Sequence, residues 1–325
     1  MFNDYTTVTF AVEQFLVNHI KKNKTESTLK VGVCVSGGVD SMVLLDTVNS
    51  LKSKLSISIK VLHVLFNDFP EHSETIDLIT EYCDLNELEY VVNYNKNICN
   101  NKEEARESIK QLSVDSNCDI VLTGHTKNDQ IETILFRLFR GTGADGLVSM
   151  RKLSVIKLNN KKLVMGKPFL NIDKEELYKY AYINKVMYVE DCTNKNIDRK
   201  RNYIRNVIIP AIQVEFNTDK IASISNSIYE TLKLVKENRS SISTDISEWK
   251  VDDLLNLSVG NRVYIVREYM RKHHGLVLNG KVIKELNDKF EGDLTNFKVD
   301  LLKGYYVFND KGFIKIELKT QINWQ

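Results

Sequence analysis

The feature that most constrains the fold of this chain is a regular alternation of short β-branched runs with longer helical segments in its N-terminal part. Such runs, separated by helices of about 10–15 residues, are typical of βαβ units, whose strands pair in parallel. The pattern predicts a doubly wound α/β sheet that binds ligands beyond the carboxyl ends of its strands. The predicted strands are residues 29–35, 58–65, 89–92 and 119–123, and the predicted helices are residues 8–20, 42–51, 74–85, 102–117 and 130–139.

A different pattern follows in the C-terminal third. Residues 155–165 predict a hairpin, but from about residue 216 helical segments follow one another, and residues 297–318 alternate like a small antiparallel β element. A chain of 325 residues is long for a single core. We therefore predict two domains: an α/β catalytic domain at residues 1–215, and a mainly helical domain with a β finish at residues 216–325.

Composition narrows the class of protein. The 45 basic and 43 acidic residues nearly balance, so any nucleic-acid surface must be local. No apolar run reaches the roughly 18 residues of a membrane span, and no cleavable leader is evident at the start. The five cysteines form no CxxC pair, which is typical of reduced thiols and argues against a disulfide framework or a zinc site. These features predict a cytoplasmic protein without a membrane partner.

Two adjacent glycines lie where the first predicted strand meets the next helix. They let the backbone approach a ligand closely, and the N–H groups of the first helical turn favour an anion. The Gly-Lys-Ser/Thr end of a Walker A loop is absent, whereas Asp40 supplies a carboxylate suited to Mg²⁺. We interpret this segment as a site for the phosphates of ATP, with an ordinary glycine-rich turn as the alternative. The loop residues are Ser36, Gly37, Gly38, Val39, Asp40 and Ser41.

A second polar motif follows the fourth predicted strand. His125 lies at the strand tip and Asp129 in or just before the first turn of the next helix, so both are predicted to face the cleft beside the loop. Arg140 then opens an Arg-Gly-x-Gly-x-x-Gly-Leu string. Alone, His125 would be more often a structural hydrogen-bonder, and Asp129 a helix cap. Together with the loop they indicate an active site.

These motifs, in this order, resemble those of the tRNA(Ile)-lysidine synthase family. The resemblance covers about residues 29–212, whereas residues 216–325 are similar only in length and layout. Three departures occur: Asn128 replaces the first Asp of an Asp-Asp pair, the string after Val64 differs, and a tyrosine after the Ala-Arg pair is missing. The matching strings are Ser36 to Ser41, His63-Val64, Glu103 to Arg106, His125 to Thr133, Arg140 to Leu147, Lys167 to Leu170, Asp191 to Asn194, and Arg201 to Arg205 followed by Pro210.

The resemblance implies a ligase that uses ATP and Mg²⁺. Such an enzyme adenylates the carbon-2 oxygen of the wobble cytidine in the isoleucine tRNA with a CAU anticodon, and releases pyrophosphate. The ε-amine of free L-lysine then displaces AMP to give lysidine. This amine must first lose its proton, because its ordinary pKa is about 10.4. The resemblance makes Asp40 and Asp129 the candidates for holding the ammonium or the metal and for taking the proton, and it favours Asp40 for the metal and Asp129 for the lysine or its proton. It places His125 in catalysis or on a phosphate, and His63 beside the nucleotide.

Several basic residues are predicted to meet phosphate. Arg106 lies on the helix after the third strand, where a solvated surface is an equal alternative. Arg201 and Arg205 lie one helical turn apart beside Asn202, inside a family string, which favours contact with tRNA phosphates over a solvated surface. Arg140 is also predicted to bind tRNA.

Other classes of function leave different signs in a sequence. A tRNA thiolase with the same type of loop commonly carries CxxC pairs, and none is present. An amidotransferase-type synthetase would usually show a glutaminase half or a different second motif. A non-catalytic binding module would explain the basic run but not the loop together with His125 and Asp129. The oligomeric state stays open, with a homodimer among the options.

Overall fold

The structure, a computed structural model, describes residues 6–23, 28–64, 72–93, 102–158, 161–190, 196–216, 219–238 and 246–319. The chain divides into two compact units. The first comprises residues 1–136 and 149–225, and the second comprises residues 137–148 and 226–325. Each unit has its own apolar core. A domain boundary near residue 216 stays a prediction.

Six strands form the sheet of the first unit: β1 (Leu29–Cys34), β2 (Ile57–Val64), β3 (Glu89–Asn93), β4 (Ile120–Leu122), β5 (Leu153–Leu158) and β6 (Lys161–Gly166). Their order across the sheet is β3-β2-β1-β4-β6-β5. Neighbouring strands pair in parallel except in the β5–β6 hairpin, whose turn lies outside the described residues. The predicted α/β class with a parallel sheet is confirmed. Because β2 and β4 flank β1 on opposite sides, the strand order reverses at β1, where sheets of this type bind ligands.

The helices up to residue 238 are α1 (Thr7–Asn23), α2 (Val39–Ser50), α3 (Lys52–Leu55), α4 (His72–Leu85), α5 (Lys102–Asp115), α6 (Lys127–Phe139), α7 (Ala144–Leu147), α8 (Lys174–Asn184), α9 (Lys200–Tyr203), α10 (Ile209–Glu215) and α11 (Asp219–Asn238). A 3-10 turn spans Pro168–Asn171, and a π-helical turn, Ile204–Ile208, joins α9 to α10. Val33 packs with α1, α2 and α8, and the next residue, Cys34, packs with α5. Since side chains alternate along a strand, these helices cover opposite faces of the sheet.

Helix α2 is buried on nearly every side, which explains its continuous apolar sequence. Residues 42–45 have no exposed surface, so the helix shows no polar face over this stretch. Asp46 on the same helix accepts hydrogen bonds from the hydroxyls of Tyr82 (2.9 Å) and Tyr180 (2.8 Å). These bonds tie α2 to α4 and α8. The N-terminus of α2, which carries the glycine loop, is therefore firmly positioned.

The second unit combines helices with a small sheet, as predicted. Its further helices are α12 (Val251–Leu255), α13 (Val259–His274) and α14 (Gly280–Glu291), and its strands are β7 (Glu248–Lys250), β8 (Lys298–Asp300), β9 (Tyr305–Asp310) and β10 (Phe313–Leu318). The strands pair antiparallel in the order β7-β10-β9-β8. Ser258 and Asn279 cap α13 and α14 by accepting hydrogen bonds from backbone N–H groups of the first turn. Within the described ranges, no helix has the length and apolar character needed to cross a membrane.

Candidate nucleotide-binding site

The glycine loop between β1 and α2 is shaped to receive an anion. Gly37 has φ +81°, a value that L side chains rarely adopt, and Gly38 is the residue before the first helical residue, Val39. No side chain caps α2, and the N–H groups of Ser41 and Met42 already bond to the carbonyl of Gly38, so the N–H groups at the start of the helix that can meet a ligand are those before Ser41. The side chain of Val39 is buried, so this residue offers the loop only its backbone. Backbone N–H groups at a helix N-terminus are a general phosphate-binding arrangement.

The two serines of the loop have different tasks. Ser41 is buried; its hydroxyl accepts a hydrogen bond from the N–H of Ser36 (3.0 Å) and donates one to the carbonyl of Gly38 (2.9 Å). It therefore holds the loop closed. Ser36 is exposed, and its hydroxyl lies 3.2 Å from that of Ser41. Of the two, Ser36 is thus the one placed to meet a ligand.

We expect Gly37→Ala to lower the free energy of unfolding of the first unit by about 2 kcal/mol, because an L residue at positive φ is strained and overpacking adds to the cost. A Cβ at this position would lie 2.5 Å from Cγ2 of Thr75, which is only 2% exposed. Urea unfolding followed by far-UV circular dichroism measures the loss. Gly38→Ala is the matched control, since its Cβ would meet only Ser36 Oγ, at 3.8 Å. Equal stability of the two variants would contradict this account of the loop.

Asp40, in the first turn of α2, has one paired and one unpaired carboxylate oxygen. Oδ2 lies 3.3 Å from Nζ of Lys174, whereas Oδ1 is buried and has no hydrogen-bond partner. Burial raises the pKa of Asp40 above its usual range, and the ammonium of Lys174 opposes that shift. A buried carboxylate oxygen without a donor is suited to a cation.

The end of β4 packs directly against Asp40. A Cβ on Gly124 would lie 2.7 Å from the backbone oxygen of Asp40, so a glycine is needed there for this close approach. Asp129 and Arg205 are near enough to act on the pKa of Asp40, Asp129 raising it and Arg205 lowering it. The structure thus brings the two predicted carboxylates, Asp40 and Asp129, to one end of the sheet beside the loop.

Asp129 divides its two oxygens between local structure and the site. Oδ2 accepts hydrogen bonds from the backbone N–H of Thr126 (2.8 Å) and from its hydroxyl (2.9 Å), which forms a capping box at the start of α6. Oδ1 lies 3.7 Å from Nη2 of Arg205. Oδ2 therefore acts as the helix cap that the sequence offered as an alternative, whereas Oδ1 lies near Arg205.

Glu132 is a residue that the sequence reasoning missed. It is 1% exposed, and it accepts two hydrogen bonds from Arg205, from Nε at 2.5 Å and from Nη2 at 3.0 Å. Arg201 lies 3.8 Å from the same carboxylate and donates to the hydroxyl of Thr133 at 2.8 Å. Burial raises the pKa of Glu132, and Arg205 opposes that shift. The available signals were its place in the matching string His125 to Thr133 and its position three residues after Asp129, which puts both on one face of α6.

The N-termini of α6 and α8 are joined by side chains. Asn128, which replaces an Asp of the family pattern, accepts a hydrogen bond from the N–H of Lys174 through Oδ1 (3.1 Å). Lys127 forms an ion pair with Asp173 (2.8 Å). Gln130 donates to the carbonyl of Leu170 (2.5 Å). This junction holds α8 so that Lys174 reaches Asp40, a contact for which the sequence contains no separate signal.

The remaining predicted residues lie in several places. Nδ1 of His125 is 2.9 Å from the hydroxyl of Thr123, and His63 is buried with Nδ1 2.7 Å from the carbonyl of Val35. Asn202 is also buried, and donates to the carbonyl of Asn196. The side chain of Arg106 lies outside the described residues. Arg140 belongs to the second unit, whereas the other predicted residues belong to the first.

The residues present fit a magnesium ion better than a transition metal. Asp40 and Asp129 offer hard carboxylate oxygens, one of them buried without a donor. Within the described ranges, no group of three or more His, Cys, Asp or Glu side chains could hold a metal by itself. Mg²⁺ commonly binds through one or two carboxylates and the phosphates of a nucleotide. Asp40 is the residue that would hold it.

The parallel sheet, the uncapped glycine loop and the adjoining carboxylates define an α/β protein of the class that binds nucleotide phosphates at a helix N-terminus. The PP-loop domain family matches residues 6–212, and the chain belongs to this family. ATP is therefore its nucleotide.

Relatives and a solved structure extend this comparison. The chain is 27% identical to a tRNA(Ile)-lysidine synthase of Prochlorococcus marinus over 311 residues, covering 88% of this chain and 89% of that protein. It is 38% identical over 193 residues to one of Buchnera aphidicola, covering 56% of this chain but 41% of the relative. The resemblance inferred from the motifs is confirmed. The U34-tRNA thiolase NcsA of Methanococcus maripaludis shares the fold, with a TM-score of 0.52 at 16% identity over 69% of this chain and 80% of that chain.

Proposed function

We propose that this protein is a ligase that joins free L-lysine to carbon 2 of the wobble cytidine in the isoleucine tRNA with a CAU anticodon. The observation that carries the proposal is that Asp40, which has a buried oxygen without a hydrogen-bond partner, and Asp129 both lie in the first turns of helices that follow neighbouring parallel strands, beside an uncapped phosphate loop. The order of the motifs and the lysidine synthases that match most of the chain support the choice of substrates. The scattered cysteines support a reducing compartment, the cytoplasm.

The first step is adenylation. The carbon-2 oxygen of the cytidine attacks the α-phosphorus of ATP, and the bond to the β-phosphate oxygen breaks to release pyrophosphate. The N–H groups at the start of α2 and the hydroxyl of Ser36 bind the phosphates that leave. Asp40 would hold Mg²⁺, which would neutralise phosphate charge during the transfer. His125, at the end of β4, is assigned to a phosphate.

The second step is the attack of lysine. The ε-amine bonds to carbon 2 of the adenylated cytidine, the carbon–oxygen bond breaks, and AMP leaves. Before the attack the amine must pass a proton to a base. Oδ1 of Asp129 is available for this proton or for positioning the ammonium, since Oδ2 is used by the helix cap. The guanidinium of Arg205 lies 3.7 Å from this oxygen and partly neutralises the charge of the carboxylate.

Binding of tRNA is assigned to basic residues of both units. Arg201 is the favoured phosphate contact, because its side chain is 39% exposed. Arg205 forms an ion pair with Glu132, and Asn202 is buried. We therefore assign Arg205 and Asn202 to orienting Arg201 and the rest of the site. Arg140 is assigned to the tRNA from the second unit.

A thiolase is the second candidate, because the NcsA structure shares the fold. That likeness shows the fold alone. Among the described cysteines, Cys34 and Cys83 are buried, and burial raises the pKa of each to about 12, which disfavours the reactive thiolate. We therefore favour the ligase.

The test of the proposed function is a reconstituted reaction. The protein is incubated with ATP, Mg²⁺ and transcripts of the isoleucine tRNA or of the methionine tRNA that shares its anticodon. We expect pyrophosphate release to require ATP and the isoleucine transcript, and nucleoside mass spectrometry to detect lysidine only when lysine is added. Pyrophosphate release that does not depend on tRNA would overturn the proposal. Incorporation of sulfur from a sulfide donor would favour the thiolase.

We expect Asp129→Asn to lower the rate of lysidine formation about 100-fold, because the base or lysine anchor is lost. An asparagine oxygen can still accept the hydrogen bonds from Thr126, so the start of α6 should be preserved. If Asp129 positions lysine, adenylated tRNA accumulates and is detected with α-labelled ATP. Normal coupling of lysine by this variant would mean that Asp129 is only a helix cap.

A further inference from the structure

Lys174 connects two elements of the site. It is the first residue of α8, and its N–H donates to Oδ1 of Asn128 on α6. Its ammonium lies 3.3 Å from Oδ2 of Asp40 and 5.8 Å from the ring centroid of Tyr178. The backbone of Lys174 is therefore fixed, whereas its four-carbon side chain can change direction.

The ion pair between Lys174 and Asp40 conflicts with the assignment of Asp40 as the residue that would bind Mg²⁺. Mg²⁺ at Asp40 and the ammonium of Lys174 would both be cations on one side chain, within a few ångströms of each other. The repulsion is strong because one oxygen of this carboxylate, Oδ1, is buried. The ion pair between Lys174 and Asp40 is thus favourable when no metal is bound, and the ammonium competes with Mg²⁺ for the carboxylate.

The phosphates of ATP offer Lys174 an alternative partner. They would lie at the start of α2, the same turn that carries Asp40. A lysine ammonium is a mobile point charge that commonly binds phosphate. It can leave Asp40 for a phosphate oxygen without any movement of α8.

We propose that Lys174 is an exchangeable counter-ion, bound to Asp40 in the empty site and to a phosphate oxygen of ATP in the loaded site. In this role it keeps Asp40 neutralised until Mg²⁺ and ATP arrive together. The inference rests on the proposed function only for the presence of Mg²⁺ and ATP at this loop, and it involves neither lysine nor tRNA.

The proposal predicts opposite changes for two ligands of one variant. In Lys174→Met, the nucleotide-free protein should bind Mg²⁺ more tightly, because no ammonium competes for Asp40. The same variant should bind MgATP more weakly, because a phosphate contact is lost. A residue with a purely structural role would not tighten one ligand while weakening the other.

The experiment is calorimetric titration of the full chain, without tRNA or lysine, using Mg²⁺ alone and then ATP at saturating Mg²⁺. For Lys174→Met we expect about a fivefold lower dissociation constant for Mg²⁺ and about a tenfold higher one for MgATP, as for the loss of one charged hydrogen bond. Lys174→Arg should keep most of the MgATP affinity. Lys179→Met, which changes an exposed lysine of the same helix, should change neither constant.

Weaker binding of both ligands by Lys174→Met, with far-UV circular dichroism unchanged, would overturn the proposal and make Lys174 a structural anchor. Unchanged MgATP affinity would also overturn it, since no exchange would then occur. If Lys174→Met unfolds, Lys174→Gln provides the same readout with a polar side chain. Failure of the lysidine assay with both opposite shifts present would reject the proposed function and leave this inference standing.

Discussion

Asp40→Asn is expected to lower the rate of adenylation at least about 100-fold while leaving the fold intact, because the carboxylate that would hold Mg²⁺ is lost. The fold should tolerate the change, since the charged form of Asp40 is disfavoured by burial and an amide keeps the same shape. The measurement is pyrophosphate release with the isoleucine transcript, with thermal unfolding of the same preparation.

Asp300→Asn is the control for this variant. It removes a carboxylate of the second unit that pairs with Lys319, and its side chain is 62% exposed. We expect nearly normal adenylation from it. Wild-type AMP production by Asp40→Asn would contradict the assignment of this residue. A loss of the same size in both variants would indicate that the effect is not specific to Asp40.

Glu132→Gln is expected to lower the free energy of unfolding of the first unit by about 2–3 kcal/mol, because its arginine partners lose a buried anion. The carboxylate is 1% exposed and takes two hydrogen bonds from Arg205, with Arg201 beside it. Urea unfolding followed by far-UV circular dichroism reports the loss. Trp249 lies in a strand of the second unit, so its fluorescence follows that unit separately.

The control is Glu107→Gln, which removes an exposed glutamate paired with Lys110 and should cost at most about 0.5 kcal/mol. A second comparison is between Glu132→Gln alone and the double variant that combines Glu132→Gln and Arg205→Gln. Removing both charges should recover part of the stability, because the unpaired charge and not the lost pair causes most of the damage. Equal losses in Glu132→Gln and Glu107→Gln would mean that the buried ion pair contributes little.

Local sequence was sufficient to predict the architecture and the loop. The period of the apolar runs decides between strand and helix, and alternation of the two requires a parallel sheet. The glycines of the loop were predicted for a local reason: positive φ and close approach are backbone properties, and Gly37 has the first of them. The loop, His125 and Asp129 follow the ends of strands, so the topology alone brings them to one edge.

Only the tertiary structure decided what each charged side chain touches. Arg201 and Arg205 form a basic run in the sequence, but Glu132, on a helix that is distant in the sequence, lies beside both in the structure. Lys174 shows no signal in the sequence, yet it reaches Asp40 because Asn128 holds its backbone. Backbone conformation depends on neighbouring residues, whereas the partner of a long charged side chain depends on which elements fold against it. The sequence by itself determined the fold class and the phosphate loop, and the packing of α6, α8 and α9 determined the electrostatics of the site.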